Sequence, residues 1–130
     1  MKKLLFLALL LFSIGVKAQT VDDTTRLYIR VEVDPVFPGG YDMLNKFVKN
    51  NLSSDVKNNL NSGNISGMVI LNFVVERDGS LTNIKVIKGL TKEADDEVIR
   101  IMSKSPKWKP GIKNNRPVRV FYTIPIRLPM

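Results

Sequence analysis

The 130-residue chain contains no cysteine and no histidine. Disulfide staples, cysteine-linked lipid, thiol nucleophiles, the common catalytic triads and the usual zinc sites all need side chains that it lacks. A domain of this composition has to hold together by packing alone. Long apolar runs are scarce as well. Leu4 to Val16 is the extended one, and its 13 residues fall short of the roughly 20 that a helix needs to cross the hydrocarbon core. There is no basic tract and no aromatic ladder, so the formal charge of +8 is scattered and does not mark nucleic acid as a partner. No catalytic residue, metal ligand set or cofactor is implied.

At the N-terminus, Lys2 and Lys3 precede that apolar run, and Val16-Lys17-Ala18 sets small or branched residues at the −3 and −1 positions before Gln19. This is the layout of a cleavable secretory signal. Residues 1–18 are expected to leave after Ala18, giving a soluble periplasmic protein without a stable membrane anchor. Three positive charges, on Lys2, Lys3 and Lys17, leave with the signal. The chain from Gln19 onward suffices for one core and is too short for two. It divides into an N-terminal segment with one strand, 19–34, and a domain over 35–128.

In that segment Leu27, Ile29, Val31 and Val33 alternate with Tyr28, Arg30, Glu32 and Asp34, the period of a half-buried strand. Two prolines and two glycines in Pro35-Val36-Phe37-Pro38-Gly39-Gly40 end it. The period then lengthens: Met43, Leu44, Phe47, Val48 and Leu52 form a helical stripe, and Ser53-Ser54-Asp55 can cap a second short helix carrying Val56 and Leu60. Asn61-Ser62-Gly63-Asn64 reads as loop.

Met68 to Glu76 is the strongest strand, with Val69, Leu71, Phe73 and Val75 on one face and Met68, Ile70 and Val74 on a second apolar face. Asp78-Gly79 turns the chain back. The return strand, Leu81 to Lys88, sends Ile84 and Val86 inward; the opposite parity of Leu81 predicts a bulge near Thr82-Asn83. Thr91 is a candidate N-cap for a helix with Ala94, Val98, Ile101 and Met102 at helical spacing. Ser105-Pro106 ends that helix, and alternation returns from Arg116 to Leu128. The fold class is α+β: a β-α-β-β-α-β order with helices packed on one face of an antiparallel sheet.

Laid out in this order, several pieces resemble the TonB C-terminal domain family in its Bacteroidota-type version. They are Phe37-Pro38-Gly39-Gly40 with its flanking Pro35-Val36, Gly67 to Val75 leading to Asp78-Gly79-Ser80, Ala94 to Arg100, Pro106-Lys107-Trp108-Lys109-Pro110-Gly111, and Pro117-Val118-Arg119-Val120 with Ile124-Pro125-Ile126. The resemblance covers roughly Pro35 to Leu128. It implies a periplasmic domain whose last strand accepts an extended peptide, the Ton box of an outer-membrane receptor, in transmembrane transport. The chain departs from a full transducer in three respects. It shows no permanent membrane helix with a proline-rich spacer. Ser13 is followed four residues on by Lys17 where the family's membrane helix carries histidine. Leu52-Ser53-Ser54 replaces the usual Tyr-Pro.

Asp95-Asp96-Glu97 cannot converge on a metal from adjacent helical positions and suits the helix dipole instead. Gly39-Gly40 lacks the Lys-Ser/Thr of a phosphate loop. Trp108 reads as a structural plug with lysine stems on its ring. Pro117 and Pro125 have equal parity, so their missing donors face one edge, leaving Arg119, Phe121 and Thr123 with outward N–H and C=O groups. That edge is either a strand-addition site for an envelope peptide or a margin blunted against aggregation. The alternative to a peptide binder is a structural or self-associating envelope domain, a homodimer included.

Overall fold

The computed structural model describes residues 24–63 and 65–128. The expected signal peptide, its cleavage site and Asn64 lie outside them. In chain order the elements are β1 (Leu27–Tyr28), α1 (Tyr41–Asn51), α2 (Ser54–Asn61), β2 (Gly67–Val75), β3 (Leu81–Lys88), α3 (Lys92–Ser103), β4 (Gly111–Lys113) and β5 (Arg116–Leu128). The strands follow the order β1-β5-β2-β3, with β4 also paired to β5. β2 is antiparallel to both β3 and β5, as expected. β1 is not: it runs parallel to β5, a departure from a wholly antiparallel sheet.

The apolar stripes read from the sequence converge. Leu44 and Val48 of α1, Val56 and Leu60 of α2, and Ala94, Val98, Ile101 and Met102 of α3 share one buried cluster with Val69, Leu71, Phe73 and Val75 of β2. Those four β2 residues point to one side of the pleat, so all three helices cover the same face. Each fully buried Leu, Val or Phe contributes about 1.5–3 kcal/mol. This packing stands where a staple would otherwise be needed.

Local chemistry sets the joints. Thr91 Oγ1 accepts from Ala94 N–H at 3.1 Å and starts α3. The β2–β3 turn closes with Gly79 N–H on the Glu76 carbonyl (2.9 Å) and Glu76 N–H on the Ser80 carbonyl (2.8 Å). Gly79 supplies the left-handed φ of +88° that such a three-residue loop needs. The expected bulge is present: the partners of β2 jump from Val74↔Thr82 to Asn72↔Lys85, with Asn83 at φ +53°. Between α1 and α2 the chain is extended at Leu52 and Ser53. That join is clasped from α3, where Glu97 Oε1 accepts from Ser53 N–H (2.6 Å) and Arg100 donates to the Asn51 carbonyl (2.8 Å). Glu97 thus does more than complement a helix dipole.

Three expectations change. The strand expected over Arg26–Asp34 shrinks to Leu27–Tyr28, and Ile29 is 77% exposed. Met43 faces outward rather than into the α1 stripe. On the second face of β2, Val74 is buried and only Met68 is exposed.

Candidate functional site

The site is built along β5. Ile70 lies opposite Pro125. Proline has no N–H, so that pair exchanges no hydrogen bonds, and the alternate pairs Leu71–Ile124, Phe73–Tyr122 and Val75–Val120 do. Arg119, Phe121 and Thr123 therefore turn their backbone groups away from β2, the side the proline parity assigns. Past the end of β2, β4 takes over the same side, with Ile112 opposite Pro117. The hairpin between them turns on Asn114 and Asn115, both at positive φ (50° and 62°).

The outward edge is not bare along its length. Leu27 pairs with Arg119 and Tyr28 with Val120, which corrects the expectation of an open Arg119. Slanted parallel pairing at this register also sets the Tyr28 carbonyl opposite the outward N–H of Phe121. The Arg119 guanidinium holds the junction. It donates to Glu76 through Nε (2.7 Å) and Nη2 (2.9 Å) and to the Thr25 carbonyl through Nη1 (2.8 Å). These bonds hold the Glu76 carboxyl below the usual carboxylate range. Farther along, Tyr41 Oη donates to the Pro125 carbonyl at 2.7 Å. Of the three candidate residues only exposed Thr123 keeps both outward backbone groups with no strand opposite among the described residues.

Beside this open stretch, on the helix side, lies a pocket of about 180 Å³ lined by Pro35, Val36, Phe37, Tyr41, Leu44, Trp108, Tyr122 and Ile124. Its floor joins the two short motifs. Gly40 N–H donates to the Phe37 carbonyl (2.7 Å) in the Phe37-Pro38-Gly39-Gly40 turn, and Val36 and Lys109 exchange backbone bonds of 3.0 and 2.8 Å. That bridge draws the Pro106–Gly111 stretch, with Pro110 and buried Gly111, against the turn. The Trp108 ring is buried edge-on to Phe37 (5.7 Å) and Phe73 (5.3 Å), and its Nε1 donates to Ser105 Oγ at 2.9 Å. It is a plug, packed by aromatic rings. Among the described residues, the cations that lie over a ring are Arg26 and Lys113, both on Tyr28.

A larger hollow of about 800 Å³ runs between β3 and α3, but it is a shallow groove in which Lys85, Lys92, Asp95 and Asp96 mix with the apolar Ile84, Val86, Ile87, Leu90 and Ile99. The β3 edge beside it is broken by the bulge at Asn83 and a second between Val86 and Lys88. Bulges and lysines blunt an edge against strand pairing. On the opposite side of the sheet, the stretch of β5 beyond β1 carries no such bulge, its register with β2 running unshifted. The three carboxylates of the Asp95-Asp96-Glu97 run diverge: Asp95 accepts from Leu90 N–H, Asp96 pairs with Lys92, and Glu97 clasps Ser53 and Arg100.

Proline parity found the outward groups. It could not reveal that β1 takes the first of them, nor that Tyr41 reaches Pro125, because both are contacts between segments far apart in sequence.

Residues 59–128, more than half of the chain, match the family model of the Gram-negative bacterial TonB protein C-terminal. The chain belongs to the TonB C-terminal family. Its family is one of non-enzymatic, transport-associated envelope domains that interact generally with outer-membrane receptors. The NMR solution structure of the Helicobacter pylori TonB C-terminal domain is similar at 20% identity and a TM-score of 0.32, covering 70% of this chain and 97% of that one. No curated protein matches the chain. Among the described residues, no helix is long and apolar enough to cross a membrane.

Proposed function

We propose that this TonB C-terminal domain, spanning about 35–128, captures an extended peptide segment in the periplasm by strand addition to the open stretch of β5. The partner is a segment of an outer-membrane receptor, and the chain reaches it as a signal-cleaved protein. The observation that carries the reading is the coincidence of unpaired outward backbone at Thr123 with the apolar pocket beside it. In strand addition the backbone supplies the attraction and pockets for alternate side chains supply the selectivity. Residues of an added strand opposite Tyr122 and Ile124 share their face and stand over the pocket. The pocket is several times the roughly 30 Å³ share of a water molecule and suits one apolar side chain.

The test is Thr123→Pro against Thr123→Ala, each titrated calorimetrically with a Ton-box-like peptide and checked by thermal melt. Proline removes an outward donor at an exposed edge and leaves the β2 ladder intact. Thr123→Pro should stay folded and lose most of its peptide affinity, while Thr123→Ala keeps it. A folded Thr123→Pro variant with unchanged affinity would place the site elsewhere. The exposed apolar residues Leu27, Ile29 and Val33 favour a second reading, self-association of envelope copies. A concentration-dependent dimer that ignores peptide would support that one.

A further inference from the structure

The segment after β1 is patterned as a strand, and yet it leaves the edge at Ile29. Continuing the parallel register of Leu27↔Arg119 and Tyr28↔Val120 would set Ile29 opposite Phe121, Arg30 opposite Tyr122, Val31 opposite Thr123 and Glu32 opposite Ile124. Paired residues share a face. Tyr122 and Ile124 line the apolar pocket, so Arg30 and Glu32 would be carried over it. A charge moved from water onto an apolar wall without a partner is strongly penalised. Where the chain runs instead, Arg30 is solvent-exposed, and Glu32 accepts from the Asn114 N–H of the β4–β5 turn at 3.3 Å. Val33 then exchanges backbone bonds of 3.2 and 2.9 Å with Ile112. The segment alternates as a strand should, but this register would turn its charged members, Arg30 and Glu32, toward the pocket.

We propose that Arg30 and Glu32 are gatekeepers that hold the chain's own N-terminal segment off the open half of the β5 edge. They thereby reserve it for an external strand with apolar side chains opposite Tyr122 and Ile124. The identity of the external strand rests on the peptide-capture reading above; the self-exclusion does not. The same logic states the chemistry of the partner. It is an extended segment with apolar residues at alternate positions, and a strand with charges at those two positions is refused, as the resident one is.

The experiment uses the full chain and the double substitution Arg30→Val with Glu32→Val, with Arg30→Lys as a charge-preserving control. The first readout is amide hydrogen exchange at Thr123, which needs no ligand. With both charges removed, Ile29 to Val33 should extend β1, and exchange at Thr123 should slow by about tenfold or more. In the parent and in Arg30→Lys that amide should remain fast. The second readout is titration with a peptide of about seven residues alternating valine and serine, enough to span Phe121 to Arg127 at strand rise. Its affinity should fall about tenfold in the double variant, in step with the fraction of edge left open. Slowed exchange with no peptide binding by any form would uphold the gatekeeping and sink the peptide-capture reading. Unchanged exchange at Thr123 in a folded double variant overturns the gatekeeping, whatever the peptide does. Should the double variant fail to fold, Arg30→Val with Glu32→Gln carries the same exchange test, since both charges are removed while the amide oxygen at position 32 can still accept from Asn114 N–H.

Discussion

Substitution of Gly79 by alanine tests how the β2–β3 turn supports the pocket floor. Gly79 sits at φ +88°, and its carbonyl accepts a 2.9 Å bond from Trp108 N–H. A Cβ built there would overlap the Trp108 carbonyl oxygen, which is backbone and has no flexible end to swing away. Two costs add. Holding an L-residue in the left-handed region costs about 1–2 kcal/mol. Moving the Trp108 backbone clear breaks the bond to Gly79, a further 0.5–1.5 kcal/mol or about that, before any loss of ring packing against Phe37 and Phe73. Gly79→Ala should therefore destabilise by about 2–4 kcal/mol. Gly63 isolates the first cost, because its φ is +77° and no atom lies within 4 Å of where its Cβ would be. Urea titration of both variants gives the difference. With a slope of about 1–3 kcal/mol per molar, an excess of about 1 kcal/mol for Gly79→Ala moves the midpoint by roughly 0.5 M beyond that of Gly63→Ala. Equal losses in the two variants would refute the claim that Trp108's approach, and not φ alone, demands glycine at 79.

Phe73 is fully buried on the helix face of β2, so Phe73→Ala should cost about 3–5 kcal/mol in denaturant titration, and a loss below about 1 kcal/mol would contradict that burial. Glu97, whose side chain is 11% exposed, is held at about 2 against an ordinary 4.5, chiefly by the Arg100 hydrogen bond and, against desolvation, by the Ser53 N–H. Its depressed value contributes stability that is fully present above pH 4.5 and lost as pH falls toward 2, worth about 1–3 kcal/mol; Glu97→Gln should flatten that limb of an acid titration. Intact-mass measurement of protein from the native envelope should find a chain that starts at Gln19, and a full-length species would overturn export by cleavage.

Most of the helices and the central hairpin were legible because their signals are local. The stripe Ala94, Val98, Ile101, Met102 with Thr91 before it specifies α3 without reference to the rest of the chain. The parity break at Leu81 places the bulge within a residue or so, since a pleat admits only two faces. Leu27 to Val33 shows the limit of such reasoning. Alternation says that one face is apolar, but not which neighbour offers a ladder, and the charges at Arg30 and Glu32 matter only once a continued β1 is seen to set them opposite Tyr122 and Ile124. Met43 fits the α1 stripe by angle and still faces outward, because a helix turn brings more residues to its apolar side than the sheet covers. At the candidate site the two prolines disclosed the direction of the free backbone groups. The occupancy of Arg119 by β1 depends on a pairing between residues more than ninety positions apart, for which no short motif exists.

The chain has a single tryptophan, and its indole forms part of the pocket wall that also contains Tyr122 and Ile124. Its fluorescence is therefore a native optical reporter of what enters that pocket, free of background from any other indole. An apolar side chain that displaces water near the ring should shift the emission to the blue, while a peptide pairing with Thr123 and leaving the pocket empty should leave the spectrum where it was. The unlabelled protein can thus separate backbone capture from side-chain selection in one titration.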